Sequence, residues 1–405
     1  MPLVTWSPTA ATGKYNDGNN WSSATPPGPI DAAIFGTTSQ KDLTVSGNLQ
    51  AGEWVFIPGA PKYSLTLDPA FATVDLIGGG VIDNGGAAHI ILPGASDILA
   101  FDNTSTAGAS SITNNGGQID IDELSTAGSA NISNGGQIFF ANLASAGAAT
   151  IHTTSSGSVE FDDFSTGGNA EFNTDLGGKV DFSHSSGPAG NHVISVGSIA
   201  GAGTYDLGSN QLVVGGNGLP TTVSGPVDDG GLLSSSMASL VKVGNARLTL
   251  SGSHNTYSGG TTIKQGTLDL VGVGAAGTGA IAFAGHATLR VENAALLGRA
   301  FGNPIEFFAK KDVLDLSGLH FLPGATATYH KAGHHLTVHS GSVTDILTLL
   351  SPHGTIFTAA SDGHGGTKVT VEPLPGVGSL PTASQALSIA GDHGAFHMTD
   401  YIFAA

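Results

Sequence analysis

The chain has 405 residues, with 61 glycines, no cysteine and a formal net charge of −18. Lacking cysteine, it uses neither disulfides nor thiol chemistry. With only 13 Lys plus Arg, it has no basic footprint for nucleic acid or an anionic membrane surface.

The first ten residues, MPLVTWSPTA, carry neither a basic start nor an apolar stretch of signal-peptide type. No apolar run along the chain reaches the roughly 18–20 residues of a membrane-spanning helix, so membrane insertion is not expected. Residues 1–80 hold Trp6, Asn20-Trp21-Ser22, a Pro26-Pro27-Gly28 turn and Asp31–Gly36 (DAAIFG). They are assigned to an N-terminal capping region, which any stacked-repeat protein needs over its first repeat.

From Ser105 to His184 one phrase is repeated four times. Its copies are STAGASSITNNGGQIDIDEL, STAGSANISNGGQIFFANL, ASAGAATIHTTSSGSVEFDDF and STGGNAEFNTDLGGKVDFSH, and Gly108, Gly128, Gly147 and Gly168 mark a spacing of 20, 19 and 21 residues. A period near twenty predicts a solenoid, each repeat burying its apolar face only against its neighbours. Every copy has two short alternating runs. The second carries Ile119/Ile121, Ile138/Phe140, Val159/Phe161 and Val180/Phe182, spaced by two so that both side chains share one face. The first supplies Ile112, Ile132, Ile151 and Phe172. Gly116-Gly117, Gly135-Gly136, Gly157 and Gly177-Gly178 lie between the runs, as tight corners require. Length variation must fall in the corners, since a one-residue slip within a strand would turn the core outward.

The pattern continues upstream through Leu99/Phe101, and downstream through Leu248/Leu250, Leu268/Leu270 and Leu289/Val291. The fold class is therefore all-β: a parallel β-helix or β-solenoid over 81–215, continued over 216–300, with a C-terminal β module over 301–372. Spacing alone leaves the handedness open.

Residues 240–271 read LVKVGNARLTLSGSHNTYSGGTTIKQGTLDLV. Leu248–Gly252, Asn255–Ile263 and Gly266–Leu270 closely resemble the autotransporter-associated β-strand repeat of large bacterial surface proteins. The resemblance implies one rung of a right-handed β-helix. It implies little chemistry, because passengers built on this repeat include adhesins, enzymes and plain stalks. The opening segment is similar to the lead-in of such proteins. Asp312–Ser317, Ala325–Tyr329, Leu336–Val338 and Phe357–Lys368 look like a module near the carboxy end of proteins exported by type I secretion. Residues 373–405 then read as a Pro/Gly linker and an export signal ending in Tyr401-Ile402-Phe403. Such proteins have no amino-terminal signal, and a conventional autotransporter with a β-barrel translocator is not expected.

Outward positions of stacked rungs form columns, where solenoid enzymes place their sites. One column is expected to run Asp120, Phe139, Glu160, Asp181, and its neighbour Asp122, Ala141, Asp162, Ser183. Paired carboxylates suit calcium or acid–base glycan cleavage. Phe139 and Ala141 interrupt the columns, however, and no Lys or Arg lies between Lys62 and Lys179. Ten of the fifteen histidines lie from His286 onward, among them His330, His334, His335 and His339. His335 and His339 would share a strand face, which allows a two-histidine metal clip or a pH-dependent contact. Their spacing matches no zinc motif, and a solvent-facing role is favoured. Val227–Gly231 (VDDGG) and Ser361–Gly366 (SDGHGG) put Asp before the glycines, unlike a calcium-binding tandem repeat, so folding is expected not to need calcium. The stacked Ser-Thr pairs of the STAG phrases form too short a column for ice binding.

No catalytic, cofactor-binding or metal-ligating residue is nominated, and no cofactor is expected. The chain reads as a secreted or surface protein, structural or adhesive rather than enzymatic. Its expected partner is itself, through end-to-end contact into a filament, layer or biofilm matrix. A cell-surface or matrix polysaccharide is a further partner. The alternative is a glycan-active enzyme, a polysaccharide lyase or hydrolase, or a carbohydrate-binding adhesin.

Overall fold

A computed structural model describes residues 1–83, 87–230 and 237–372. The linker and export signal expected over 373–405 lie outside these residues, as does Gly231 of the VDDGG motif. The described chain is a parallel β-solenoid of about 13 turns.

The four repeats stack as the alternation demands. Ser111–Asn114, Asn131–Asn134, Thr150–Thr153 and Glu171–Thr174 build one wall, with Ile112, Ile132, Ile151 and Phe172 in register. Gln118–Ile121, Gln137–Phe140, Ser158–Asp163 and Lys179–Ser185 build a second. Bridges joining Thr106, Thr126, Ser145 and Thr166 mark the third side. Ile121, Phe140, Phe161 and Phe182 are all buried. Phe140, Phe161 and Phe182 form an offset stack, with ring centroids 4.7 and 4.9 Å apart. Parallel ladders thus convert a sequence period into an unbroken apolar column, because the repeating 4.8 Å strand spacing places like side chains in contact.

The third side explains the STAG phrase. The Gly108, Gly128, Gly147 and Gly168 N–H groups donate to the Thr106, Thr126, Ser145 and Thr166 hydroxyls at 2.9, 3.1, 3.0 and 3.3 Å. Gly128 has φ +61°, and a Cβ there would lie 2.6 Å from the Gly108 carbonyl oxygen of the previous rung. Glycine is required by both conformation and space. These hydroxyls turn the chain at each corner, so they do not form a free hydroxyl face.

At the amino terminus, Leu3–Thr5 pairs in parallel with Ala32–Phe35, which pairs with Asp42–Phe56. Trp6, Tyr15 and Trp21 are buried: Trp21 meets Trp6, Tyr15 and Phe35 edge-on, and Tyr15 lies tilted against Trp54. The free edge of the first strand is partly occupied: Ser22 N–H donates to Thr5 O at 2.9 Å, and Ser7 N–H to Asn20 O at 2.7 Å.

From the 240–271 segment onward, Leu248, Leu268, Leu289 and Leu314 continue the interior. Asn255 of the NTYSGG phrase points inward, accepting from Val227 N–H at 2.9 Å and donating to Ala275 O at 2.6 Å. It thereby ties its own rung to both neighbours. Tyr257 is fully buried, and its hydroxyl meets Thr261 Oγ1 at 2.7 Å.

The carboxy-terminal end reverses direction. Val313–Leu316 pairs antiparallel with Thr367–Glu372, itself paired with Ile356–Ser361. Val343–Leu350, His335–Ser340 and Thr326–His330 form the other antiparallel flap. Among the described residues, Ile356–Ser361 and Thr326–His330 each pair on one side only.

Candidate functional site

The outward positions of the second wall form the expected column and extend it. In register along the solenoid lie Gln50, Asp75, Ala100, Asp120, Phe139, Glu160, Asp181, Asp206 and Asp228. The sequence columns named only the middle four; Asp75, Asp206 and Asp228 sit in rungs outside the obvious repeats. Like charges placed directly opposite across strands are unfavourable, so each must be relieved locally.

Between Asp75 and Asp102 the cost of like charge falls on Asp102. Burial, together with the hydrogen bond and charge of Asp75 and the charges of Asp122 and Glu123, pushes the Asp102 carboxyl up to about 6. Asp75 Oδ2 accepts from Gln50 at 2.8 Å, while its buried Oδ1 meets no amide or hydroxyl donor among the described residues. Asp120 is likewise pushed up, first by burial and then by Asp122, against a hydrogen bond from Gln118.

Asp181 and Asp206 are relieved by Lys179, whose Nζ lies 2.9 and 2.6 Å from them. Burial opposes charge on this lysine, but its bonds to Asp206 and Asp181 outweigh that and raise its pKa. Burial also raises Asp181, yet bonds from Ser183 and Lys179 bring it below the usual value. Asp206 stays raised because burial and the neighbouring Asp181 and Asp228 outweigh the same lysine.

The neighbouring column departs from expectation. The ladder between Ser158–Asp163 and Lys179–Ser185 shifts register after Glu160, so Asp162 faces His184 rather than Ser183. Ser183 is buried, and His184 takes the outward place. A bulge adds one residue to one strand and re-aims the side chains that follow. Sequence alternation could not show it, since Ser183 and His184 are both polar and either could follow Phe182 outward. His184 Nδ1 consequently lies 2.5 Å from Glu160 Oε1 and 3.2 Å from Asp162 Oδ1. Burial lowers its tendency to protonate, but Glu160, Asp181 and Asp162 more than compensate and hold its pKa above the ordinary value. Asp162 is pushed up by burial and by Glu160, against His184.

Among the described residues, Glu160, Asp162 and His184 are the one group of three potential metal ligands, with ligand atoms all within 4.8 Å of one another. The carboxy-terminal histidines are arranged differently. His330 and His335 face each other across the hairpin, while His339 Nδ1 is 2.6 Å from Thr344 Oγ1. Further along, Arg290 spans Glu292, Asp269 and Asp315 at 2.8, 3.3 and 3.4 Å. That network holds three successive rungs together.

The passenger-associated-transport-repeat family matches residues 240–270. Comparisons with curated proteins and with solved structures found no match. The chain carries an autotransporter-associated β-strand repeat within a β-solenoid, an architecture that fits a passenger-like, exported protein.

Proposed function

We propose that this chain is an extracellular structural or adhesive solenoid that associates with copies of itself into a filament, layer or matrix. The observation that carries the reading is the pair of strands Thr326–His330 and Ile356–Ser361, which touch through Tyr329 and Phe357 and are each hydrogen-bonded on one side only among the described residues. Unpaired strand edges are templates for another chain. The amino-terminal edge is partly covered by Asn20–Ser22, which makes the carboxy-terminal flaps the favoured contact, rather than two equivalent open ends. About 13 turns at roughly 4.8 Å each give a rod of about 60 Å, a suitable building unit. A corner ladder of exposed Leu124, Leu143 and Phe164 adds an apolar stripe along its side.

Electron microscopy and light scattering of the secreted protein test the reading. Fibres or sheets are expected, disrupted by Thr328→Pro on the outer edge. Dispersed monomers at every concentration would overturn it. We assign residues 373–405 to export, so deleting them should leave the folded protein inside the cell.

The polysaccharide-cleaving alternative rests on the acidic column. Phe139 interrupts that column, and Lys179 is engaged by Asp181 and Asp206. Activity on acidic or neutral glycans that is abolished by Glu160→Gln would favour that alternative.

A further inference from the structure

The geometry points to a divalent transition-metal site formed by Glu160, Asp162 and His184, a clip joining two adjacent rungs. Glu160 and Asp162 belong to Ser158–Asp163, and His184 to the next rung, Lys179–Ser185. The register shift brings them together. Without the bulge Ser183 would face Asp162, and no imidazole would be present.

Two carboxylates share one imidazole here. Lys179, the nearest base, is engaged by Asp181 and Asp206. Asn142 Nδ2 donates to Asp122 and its backbone N–H to Asp163, so those acids are engaged laterally. Glu160 and Asp162 are left with His184 alone between them. One imidazole and two carboxylates, all partly exposed, place three ligand atoms within 4.8 Å of one another. Tetrahedral zinc at about 2.0–2.1 Å from each ligand would set neighbouring donor atoms roughly 3.3 Å apart. His184 and Asp162 already stand at 3.2 Å, and Glu160, at 2.5 Å, needs only to swing outward by about 1 Å. The imidazole favours zinc, or cobalt as its spectroscopic stand-in, over calcium, which takes oxygen ligands.

The test is Co²⁺ titration of the tag-free, full-length protein, followed by visible absorption and competition with Zn²⁺. One saturable equivalent, displaced by zinc, is expected. Glu160→Gln and His184→Asn should each weaken it at least tenfold, while His335→Asn/His339→Asn leaves it unchanged. Far-UV circular dichroism and melting of the metal-free variants verify folding. If a variant fails to fold, Asp162→Asn replaces it. Absence of saturable binding, or undiminished binding in folded Glu160→Gln and His184→Asn, overturns the assignment. So does loss of binding confined to the His335/His339 variant.

Discussion

Lys242 offers the sharpest test of the interior. It occupies an inward position in the column Val196, Val214, Lys242, Ile263 and Phe283, and is only 1% exposed. Its Nζ donates to the carbonyls of Val243, Gly244 and Gln265 at 2.6, 2.8 and 3.2 Å. No carboxylate accompanies it, and burial brings its pKa down to about 8. The unfolded chain holds this proton until about pH 10.4, so over the intervening window it binds more protons than the folded protein. Stability must therefore rise with pH between these values. Integrating the two titrations gives a gain of about 2 kcal/mol between about pH 7.5 and 9.5. Lys242→Met removes the titration and also leaves three carbonyls without their donor, so its net effect at pH 7 mixes opposing contributions. The slope does not. Urea midpoints measured across this range should rise for the wild type relative to the Met variant. Parallel profiles would show that Lys242 is not buried as a free amine, and would refute the reasoning.

Three further outcomes follow from the same physics. Phe161→Ala empties the centre of the Phe140–Phe161–Phe182 stack and should cost about 3–5 kcal/mol, read from denaturant midpoints. Asn255→Ala strands the Val227 N–H and the Ala275 carbonyl, costing about 1–3 kcal/mol for each buried group left unpaired; Asn255→Asp should recover only part, because it can accept but not donate. Asp102 is raised in the fold, so its contribution is present at low pH and lost as pH rises through about 6. Asp102→Asn should accordingly melt higher than wild type at pH 7.5, with the difference shrinking toward pH 4.5. A pH-independent difference would count against the raised Asp102 carboxyl.

Much of the interior was legible before any coordinates. The alternating pairs of the four repeats face inward because strand geometry assigns faces locally, and stacking forces equivalent residues into columns. The motif over 240–271 likewise stated its own rung. The column from Asp120 to Asp181 followed from the same alternation, whereas Asp75, Asp206 and Asp228 joined it from rungs whose spacing is irregular. Nothing in the sequence marks Lys242 as buried, since a lysine is ordinarily exposed.

Local sequence determined the period, the core faces and the corners, since each depends on residues within one turn. Tertiary structure decided whatever depends on the turn above or below. The bulge that sets His184 beside Glu160 and Asp162 is a choice between two polar residues, made by pairing with the preceding strand. The antiparallel flaps at the carboxy end, and the segment lying along the first strand's edge, answer a demand that exists only once a stack has ends: backbone groups there must find partners that no rung supplies.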